Sequence, residues 1–579
     1  MRLLRDLYFK VDGVSIRSDI AQRLLLRVYD EEVTVKDLAA KSVADIWLGP
    51  FLQATGISKD REAALEVTSV IGPVTSAQKR EISRHARLLV DMVGRLSIAQ
   101  DEAFGSVIQS MLRADRGSHL STTVKESTRS FSAIVDCLVD LSQTLQEEDA
   151  PKSEVAAALR TLHTFTKSEP HLLEAKHLST LTVYFHCATT PEDWRITLLV
   201  LRIYQDAVLA ISHVPLNDIQ TAERLLLALV AKCPAALLPE AVSVLCLIAK
   251  ERMVCSGRLC KFFQTCMDLL HDDIEKLRSG GVIQENKLRR LMTIVGLVCM
   301  HFPFEQVIKE NPEQVHLQEF KANMPAAVQD VVFDRLALVY EGNCSKSLKQ
   351  AALQSLGRPV FEDGSSLCNY QCANTHPRSF RSQLGFVLMS FPVLFNTPRS
   401  IRIMDSIFEN HYTELKTELL QIFSNLLART QSTSASAHGK DINPSLVAKP
   451  EDHLEAAIGN AVMQRYLDRI LRCALVHDSG IQTAAMDVIS QVTLQALAHP
   501  MLCMPAIVAL ESSDDTSLSD RAFKIHQDLH QKHASLIYSK TVECVRTMYK
   551  YQQGIHSGHT AIQGIKALAL MASWDVDRC

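Results

Sequence analysis

The sequence predicts an all-α fold, built as a solenoid of stacked helix pairs. Three observations carry that prediction. Apolar residues recur at i, i+3, i+4 and i+7 in one segment after another, the period of a helix with one buried stripe. No run of alternating apolar and polar residues of strand type appears. Aromatics make up only 6% of the chain, while Leu and Ala are plentiful; strands favour aromatic and β-branched residues, so this mix suits helices.

The elements follow in order. SDIAQRLLLRVYD puts Ile20, Leu24 and Val28 on one stripe. VKDLAAKSVADIWLGPF carries Val35, Leu38, Val43, Ile46 and Trp47, and Pro50 ends it. Further helices are read in EVAAALRTLHTF, DWRITLLVLRIYQDAV, NKLRRLMTIVGLVCMHF, AAVQDVVFDRLALVY, TELKTELLQIFSNLLA, NAVMQRYLDRILRCALVH and GIQTAAMDVISQVTLQAL. The most apolar window, Leu225 to Ile248, is interrupted by Lys232, Pro234 and Pro239, so two packed core helices are expected there and not a membrane span. A helix pair cannot bury its stripe alone, and stacking neighbours makes one continuous core. The unit of HEAT or armadillo solenoids is about 40–47 residues, which allows roughly a dozen here, although the period is poorly kept.

Three stretches break the pattern. Gln143 to Ser153 is polar and acidic and is expected to be a loop. Gly357 to Ser382 has turn formers and no helical period, and Thr430 to Asp452 is a Ser/Ala-rich stretch expected to act as a flexible linker. The expected order is a first helical part over 1–356, an irregular insertion at 357–382, continuing helices over 383–429, the linker at 430–452, a C-terminal helical region over 453–553 and a divergent tail at 554–579.

Composition narrows the function classes. With 47% hydrophobic and 22% charged residues, disorder over most of the chain is excluded. A net charge of −4 argues against a uniformly basic nucleic-acid coat and leaves room for a local basic face. Most of the 15 Cys are scattered inside apolar helical stretches without framework spacing, and read as reduced, buried thiols. MRLLRDLYFK has no apolar core of a signal peptide.

No catalytic centre is visible. His526, His530 and His533 in IHQDLHQKH share one side of a helix, but flank the stripe of Leu518, Ala522, Ile525, Leu529 and Leu536; no H-E-x-x-H is present, and they read as packing residues at a helix boundary. Cys368, Cys372 and His376 lack a fourth ligand, and Cys255, Cys260 and Cys266 fit no zinc framework. No phosphate loop or nucleophile elbow occurs, and Gly280-Gly281 lies between two helices. No cofactor or metal is therefore expected. Four basic groups stand out: Arg2, Arg5 and Lys10 followed by Arg17, Arg23 and Arg27; Lys79, Arg80, Arg84, Arg87 and Arg95; Lys287, Arg289 and Arg290; and Arg378, Arg381, Arg399 and Arg402. Each is commonly just a solvated face. Aligned along a curved solenoid, such faces would follow a duplex by its phosphates. The first group, Arg2, Arg5 and Lys10, is the expected DNA contact.

Beyond periodicity, three stretches resemble the Nipped-B family, the HEAT-repeat subunit of the cohesin loader. The first runs from RLLRDLYFK to the helix ending in W-x-x-PF, with Arg27, Asp30, Glu31, Glu32, Leu38, Trp47, Pro50 and Phe51 on the match. The second is NKLRRLMTIVGLVCMHFPFE, and the third holds an HP-x-x-C-x-P turn and an A-x-x-x-H-x-x-L-x-x-K helix, with His499, Pro500, Cys503, Pro505, Ala522, His526, Leu529 and Lys532. The resemblance covers the middle-to-C-terminal part of the family. It implies a hook-shaped HEAT solenoid with no catalytic residues of its own, nuclear and chromatin-associated. Such a protein binds cohesin through its structural-maintenance-of-chromosomes heads and kleisin, clamps double-stranded DNA without sequence preference, and stimulates cohesin's ATPase during loading. A tetratricopeptide-repeat partner is expected for the family, but the segment that binds it has no counterpart here; no membrane role is implied. The alternative is a general α-solenoid adaptor of transport or coat type without a DNA role.

Overall fold

The computed structural model describes residues 2–11, 14–30, 32–47, 76–96, 98–117, 123–186, 190–211, 213–251, 256–342, 344–357, 388, 391–437 and 450–555. Among the described residues the regular elements are α-helices and short 3₁₀ turns, with no strand. The chain divides into two compact units, one formed mainly by Met1–Phe262 and one by Phe263–Val360 with Leu384–Cys579.

The first unit contains α1 (Arg2–Lys10), α2 (Val14–Leu26), α3 (Val33–Trp47), α4 (Ser76–Gly94), α5 (Ile98–Gly117), α6 (Thr123–Glu147), α7 (Lys152–Ser168), α8 (Ala175–Leu181), α9 (Pro191–Ala207), α10 (Leu216–Lys232) and α11 (Leu238–Glu251). The division falls inside α12 (Ser256–Arg278). The second unit continues with α13 (Glu285–His301), α14 (Phe304–Glu310), α15 (Val315–Asn323), α16 (Val328–Glu341), α17 (Lys346–Gly357), α18 (Pro398–Glu409), α19 (Thr413–Ala437), α20 (Pro450–Ala474), α21 (Ser479–Leu494), α22 (Pro500–Leu510) and α23 (Thr516–Ile555).

Local chemistry sets the helix starts. At α9, Thr190 Oγ1 accepts from the Asp193 N–H at 3.2 Å and the Asp193 carboxylate accepts from the Thr190 N–H at 2.9 Å, with Pro191 in the first helical position. At α21 the Asp478 carboxylate accepts from the Ile481 N–H at 3.1 Å. Each helix then packs on helices one to four places along the chain: α4 on α6 and α7, α7 on α9 and α9 on α11, then α13 on α17, α17 on α19 and α19 on α21. This nearest-neighbour stacking is the physical content of a HEAT-type solenoid. The apolar window Leu225 to Ile248 forms α10 and α11, as its prolines predict.

The irregular period has a structural source. In the first unit, side-chain hydrogen bonds bridging packed helices join residues 41 apart for Asp136–His177, 42 for Ser142–Tyr184 and 39 for Ser179–Asp218, but 63 for Asp101–Thr164 and for Gly105–Ser168. In the second unit the spacing is 64 for His271–Arg335, 65 for Asp334–Arg399 and 64 for Asp405–Arg469. The short helices α14 and α15 fill part of that longer step.

Two expectations change. Gln143 to Ser153 is mostly helix: α6 runs to Glu147 and α7 starts at Lys152. Leu141 and Leu145 continue the buried stripe, Gln143 Nε2 donates to Glu147 on the solvent side, and the chain breaks only at Asp149, which has φ 50°. The Thr430 to Asp452 stretch is helical at both ends, because α19 reaches Ala437 and α20 begins at Pro450. Ser and Ala permit a helix, and the first glycine of the stretch is Gly439; 438–449 lie outside the described residues, as do 358–382.

No single helix among the described residues is long and apolar enough to cross a membrane. The bent pair α13–α14 passes that test by composition, yet Leu288, Met292, Val295, Leu297 and Val298 of α13 are buried in the solenoid core.

Candidate nucleic-acid interface

The four basic groups differ in how much of their charge is already matched. In α1, Arg5 donates to Asp45 at 3.3 Å and to Asp6 at 3.0 Å; the bond to Asp6 raises its guanidinium further above the ordinary range. Lys10 is exposed, and the Arg2 side chain lies outside the described part. Arg17 donates to the Val11 carbonyl and sits over the Tyr8 ring, and Arg27 pairs with Asp30 at 3.0 Å. The expected contact of Arg2, Arg5 and Lys10 therefore has one arginine shared between two carboxylates.

The third group is engaged: Lys287 faces Asp273 at 3.8 Å and Arg289 donates to Ser347. In the fourth, Arg399 is held by Glu341 at 2.7 Å and Asp334 at 2.8 Å, and the bond to Glu341 raises its pKa. Arg378 and Arg381 lie outside the described residues.

Lys10, Arg23 and Arg402 are exposed cations without a carboxylate partner among the described residues, and the second group gathers three such cations on one helix. Ile82, Ala86, Leu89, Val90 and Val93 of α4 are buried, and the helix packs on α6 and α7. Gly94 permits this close approach, since a Cβ there would stand 3.3 Å from Ala157 Cβ. On the opposite side Arg80, Arg84 and Arg87 are exposed, and none pairs with a carboxylate among the described residues. At about 100° per residue the three fall within about 60° of one another, roughly opposite the buried stripe. Arg95, just past the end of the helix, is paired with Asp91 at 3.1 Å. Three unmatched guanidinium groups on one helix face can make phosphate contacts without reading bases.

The signature residues have structural roles. Asp30 pairs with Arg27 and accepts from the Glu32 N–H at 3.2 Å, fixing the entry to α3. Glu31, Pro50 and Phe51 lie outside the described residues, as does the Trp47 side chain. His499 caps α22, its Nδ1 accepting from the Met501 N–H at 3.4 Å, with Pro500 at the first helical position. Pro505 lies inside α22 and not in a turn; the buried apolar side chains around it hold the helix together across the missing N–H. Cys503 is buried and its thiol is pushed up to about 12 by burial, as are Cys260 and Cys266, so these are inert core thiols.

His526 is not a flanking side chain with its tip in water. It is 5% exposed, and its Nδ1–H donates to the Glu511 carboxylate at 2.6 Å, where Glu511 is also 5% exposed. Leu529 is buried one turn on. His533 has φ −137° and ψ 34°, so α23 is kinked there and the third histidine leaves the register. No group of three or more possible metal ligands occurs among the described residues; Cys255, Cys368, Cys372 and His376 lie outside them. The Glu511–His526 pair was missed in the sequence because its partners are 15 residues apart, across the turn joining α22 and α23.

Comparison with known proteins bears on the same region. The family model described as sister chromatid cohesion C-terminus matches residues 459–573, so the match enters the tail that was expected to diverge. The chain is 22% identical to the Nipped-B-like protein of Homo sapiens over 96% of its own length and 18% of that protein. It is 22% identical to the sister chromatid cohesion protein mis4 of Schizosaccharomyces pombe over 96% of its length and 33% of that protein. The chain thus spans about a fifth to a third of these relatives. Among solved structures, the C-terminal fragment of the Chaetomium thermophilum cohesin loader SCC2 superposes with a TM-score of 0.63 at 21% identity, covering 95% of this chain and 35% of that one, which establishes a shared fold. Matched along nearly its whole length, with the cohesion C-terminus at 459–573, the chain is similar throughout to proteins of the Nipped-B family.

Proposed function

We propose that the chain serves cohesin loading as a scaffold without chemistry of its own. It binds the ATPase heads and kleisin of cohesin together with duplex DNA, stimulates the cohesin ATPase, and promotes sister chromatid cohesion in the nucleus. The observation that carries this reading is the match to Nipped-B and sister chromatid cohesion proteins over nearly the whole chain. A stacked helical array fits the role: it offers several partners separate faces, and shifts a partner's conformational equilibrium only by binding one state better than the other. Duplex contact is assigned to the basic faces of the first unit. Arg2, Arg5 and Lys10 on α1 are one proposed contact, and Arg80, Arg84 and Arg87 on α4, whose charge is unmatched, are the stronger one. The test is the ATPase rate of purified cohesin with duplex DNA, with and without the full-length protein containing this chain. The expected result is stimulation that depends on DNA; no stimulation by the full-length protein would sink the proposal.

A further inference from the structure

Ser83 lies at the edge of the basic face of α4, one turn from both Arg80 and Arg87. It is exposed, and its Oγ has no hydrogen-bond partner among the described residues. Several other helical hydroxyls are tied to a carbonyl four residues back, as in Ser42 to Leu38 at 2.7 Å, Ser106 to Glu102 at 3.1 Å, Thr161 to Ala157 at 2.8 Å and Ser490 to Met486 at 2.7 Å, and are less available as acceptors of a transferred group. Arg80 stands at i−3 and Arg87 at i+4, the two spacings that bring side chains together on a helix. Arg80 also supplies the arginine three residues before the acceptor that arginine-directed protein kinases select.

We propose that Ser83 is a phosphorylation site of an arginine-directed protein kinase, and that the phosphate switches off the α4 basic face. The inference about switching rests on the DNA reading above; the modification itself does not. In the transfer, Ser83 Oγ attacks the γ-phosphorus of ATP and forms the new O–P bond. The bond from that phosphorus to the bridging β–γ oxygen breaks, ADP leaves, and the hydroxyl proton passes to the kinase's catalytic carboxylate. A kinase needs its acceptor extended, so the start of α4 must open first. Up to Ser83, the described side chains of α4 include only one buried residue, Ile82, whereas Ala86, Leu89, Val90 and Val93 anchor the later turns.

The electrostatic consequence is direct. Phosphoserine carries about −1.5 to −2 charges at neutral pH and three acceptor oxygens. Arg80 and Arg87 would turn to it in charge-assisted hydrogen bonds, leaving Arg84 as the one unmatched cation of the three. Each phosphate neutralised on DNA contributes about 0.9 to the slope of log affinity against log salt, so engaging two arginines removes roughly 1.8 from that slope.

The experiment treats the complete chain with ATP and a kinase that selects arginine at the third position before its acceptor. Phosphate is located by mass spectrometry, and duplex affinity is then measured in a salt titration. Wild type is expected to carry phosphate at Ser83, Ser83→Ala none there, and Arg80→Ala at least ten-fold less. The phosphorylated chain, and Ser83→Glu in part, should bind duplex about ten-fold more weakly near physiological salt, with a shallower slope. Unchanged helix content by circular dichroism in Ser83→Ala and Ser83→Glu guards against misfolding. Phosphate on other residues with none on Ser83 would overturn the modification. Phosphate on Ser83 with unchanged duplex binding would overturn the switch. No duplex binding by the unmodified chain would remove the DNA reading and the switch together, while the modification result stands on its own.

Discussion

At the C-terminal end of α13, burial alone pushes the His301 imidazole down to about 4. An unfolded histidine titrates near 6.5, so the unfolded chain takes up the proton first as pH falls. Stability is therefore fully present above about pH 6.5, is lost as pH falls below that, and levels off near pH 4. One pKa unit corresponds to 1.36 kcal/mol, so the loss by pH 5 is about 2 kcal/mol from this residue. His301→Gln cannot take up the proton and should escape that part of the acid sensitivity. Urea unfolding at pH 7 and pH 5 checks this: the gap between wild type and variant should move by about 2 kcal/mol in the variant's favour. Parallel losses in both proteins would refute the assignment. The Cys299 thiol, two residues earlier, is pushed up to about 12 by the same burial and contributes nothing to this window.

Elements were legible where a single period decided them. The stripes of α7, α9, α13 and α21 were readable because burial follows the helical repeat, and prolines marked the break between α10 and α11. The polar run at Gln143 misled because an exposed helix face is also polar, and only the positive φ at Asp149 ends the helix. Which basic group is free could not be read at all. Arg5 is matched by Asp45, 40 residues away, and Arg399 by Asp334, 65 residues away; such partners are set by stacking, not by neighbouring sequence. On α4 three arginines have no carboxylate partner among the described residues, and that yields an element-scale prediction. Arg80→Glu, Arg84→Glu and Arg87→Glu together should lower duplex affinity by at least 100-fold at 100 mM salt and flatten the salt slope by roughly 2.7. Arg5→Glu alone should have a much smaller effect on the slope, since its charge is already shared. Fluorescence anisotropy with a labelled duplex measures both; equal effects would move the proposed contact back to α1.

Across the whole molecule, stability is distributed through neighbours, because each helix packs on those a few places along the chain. A local defect should therefore stay local, and the Glu511–His526 pair is the place to create one. Both groups are almost fully buried, so His526→Ala would leave the Glu511 carboxylate without its partner, with one oxygen already unsatisfied. Leaving a buried polar group without its hydrogen-bond partner costs about 1–3 kcal/mol, whereas Glu511→Leu with His526→Leu removes both polar groups and should cost less. The cost should fall on α21, α22 and α23, which pack directly on one another. Among the described residues, α13 and α14 of the same unit show no comparable packing on that trio. Native-state hydrogen exchange separates the two groups. In His526→Ala, protection should fall throughout α21–α23 and stay within a few tenths of a kcal/mol of wild type in α13 and α14. A uniform drop over the second unit would instead mean that it unfolds as one cooperative block. The nearest-neighbour description would then fail for this solenoid, because contacts a few helices long would be acting over the full unit.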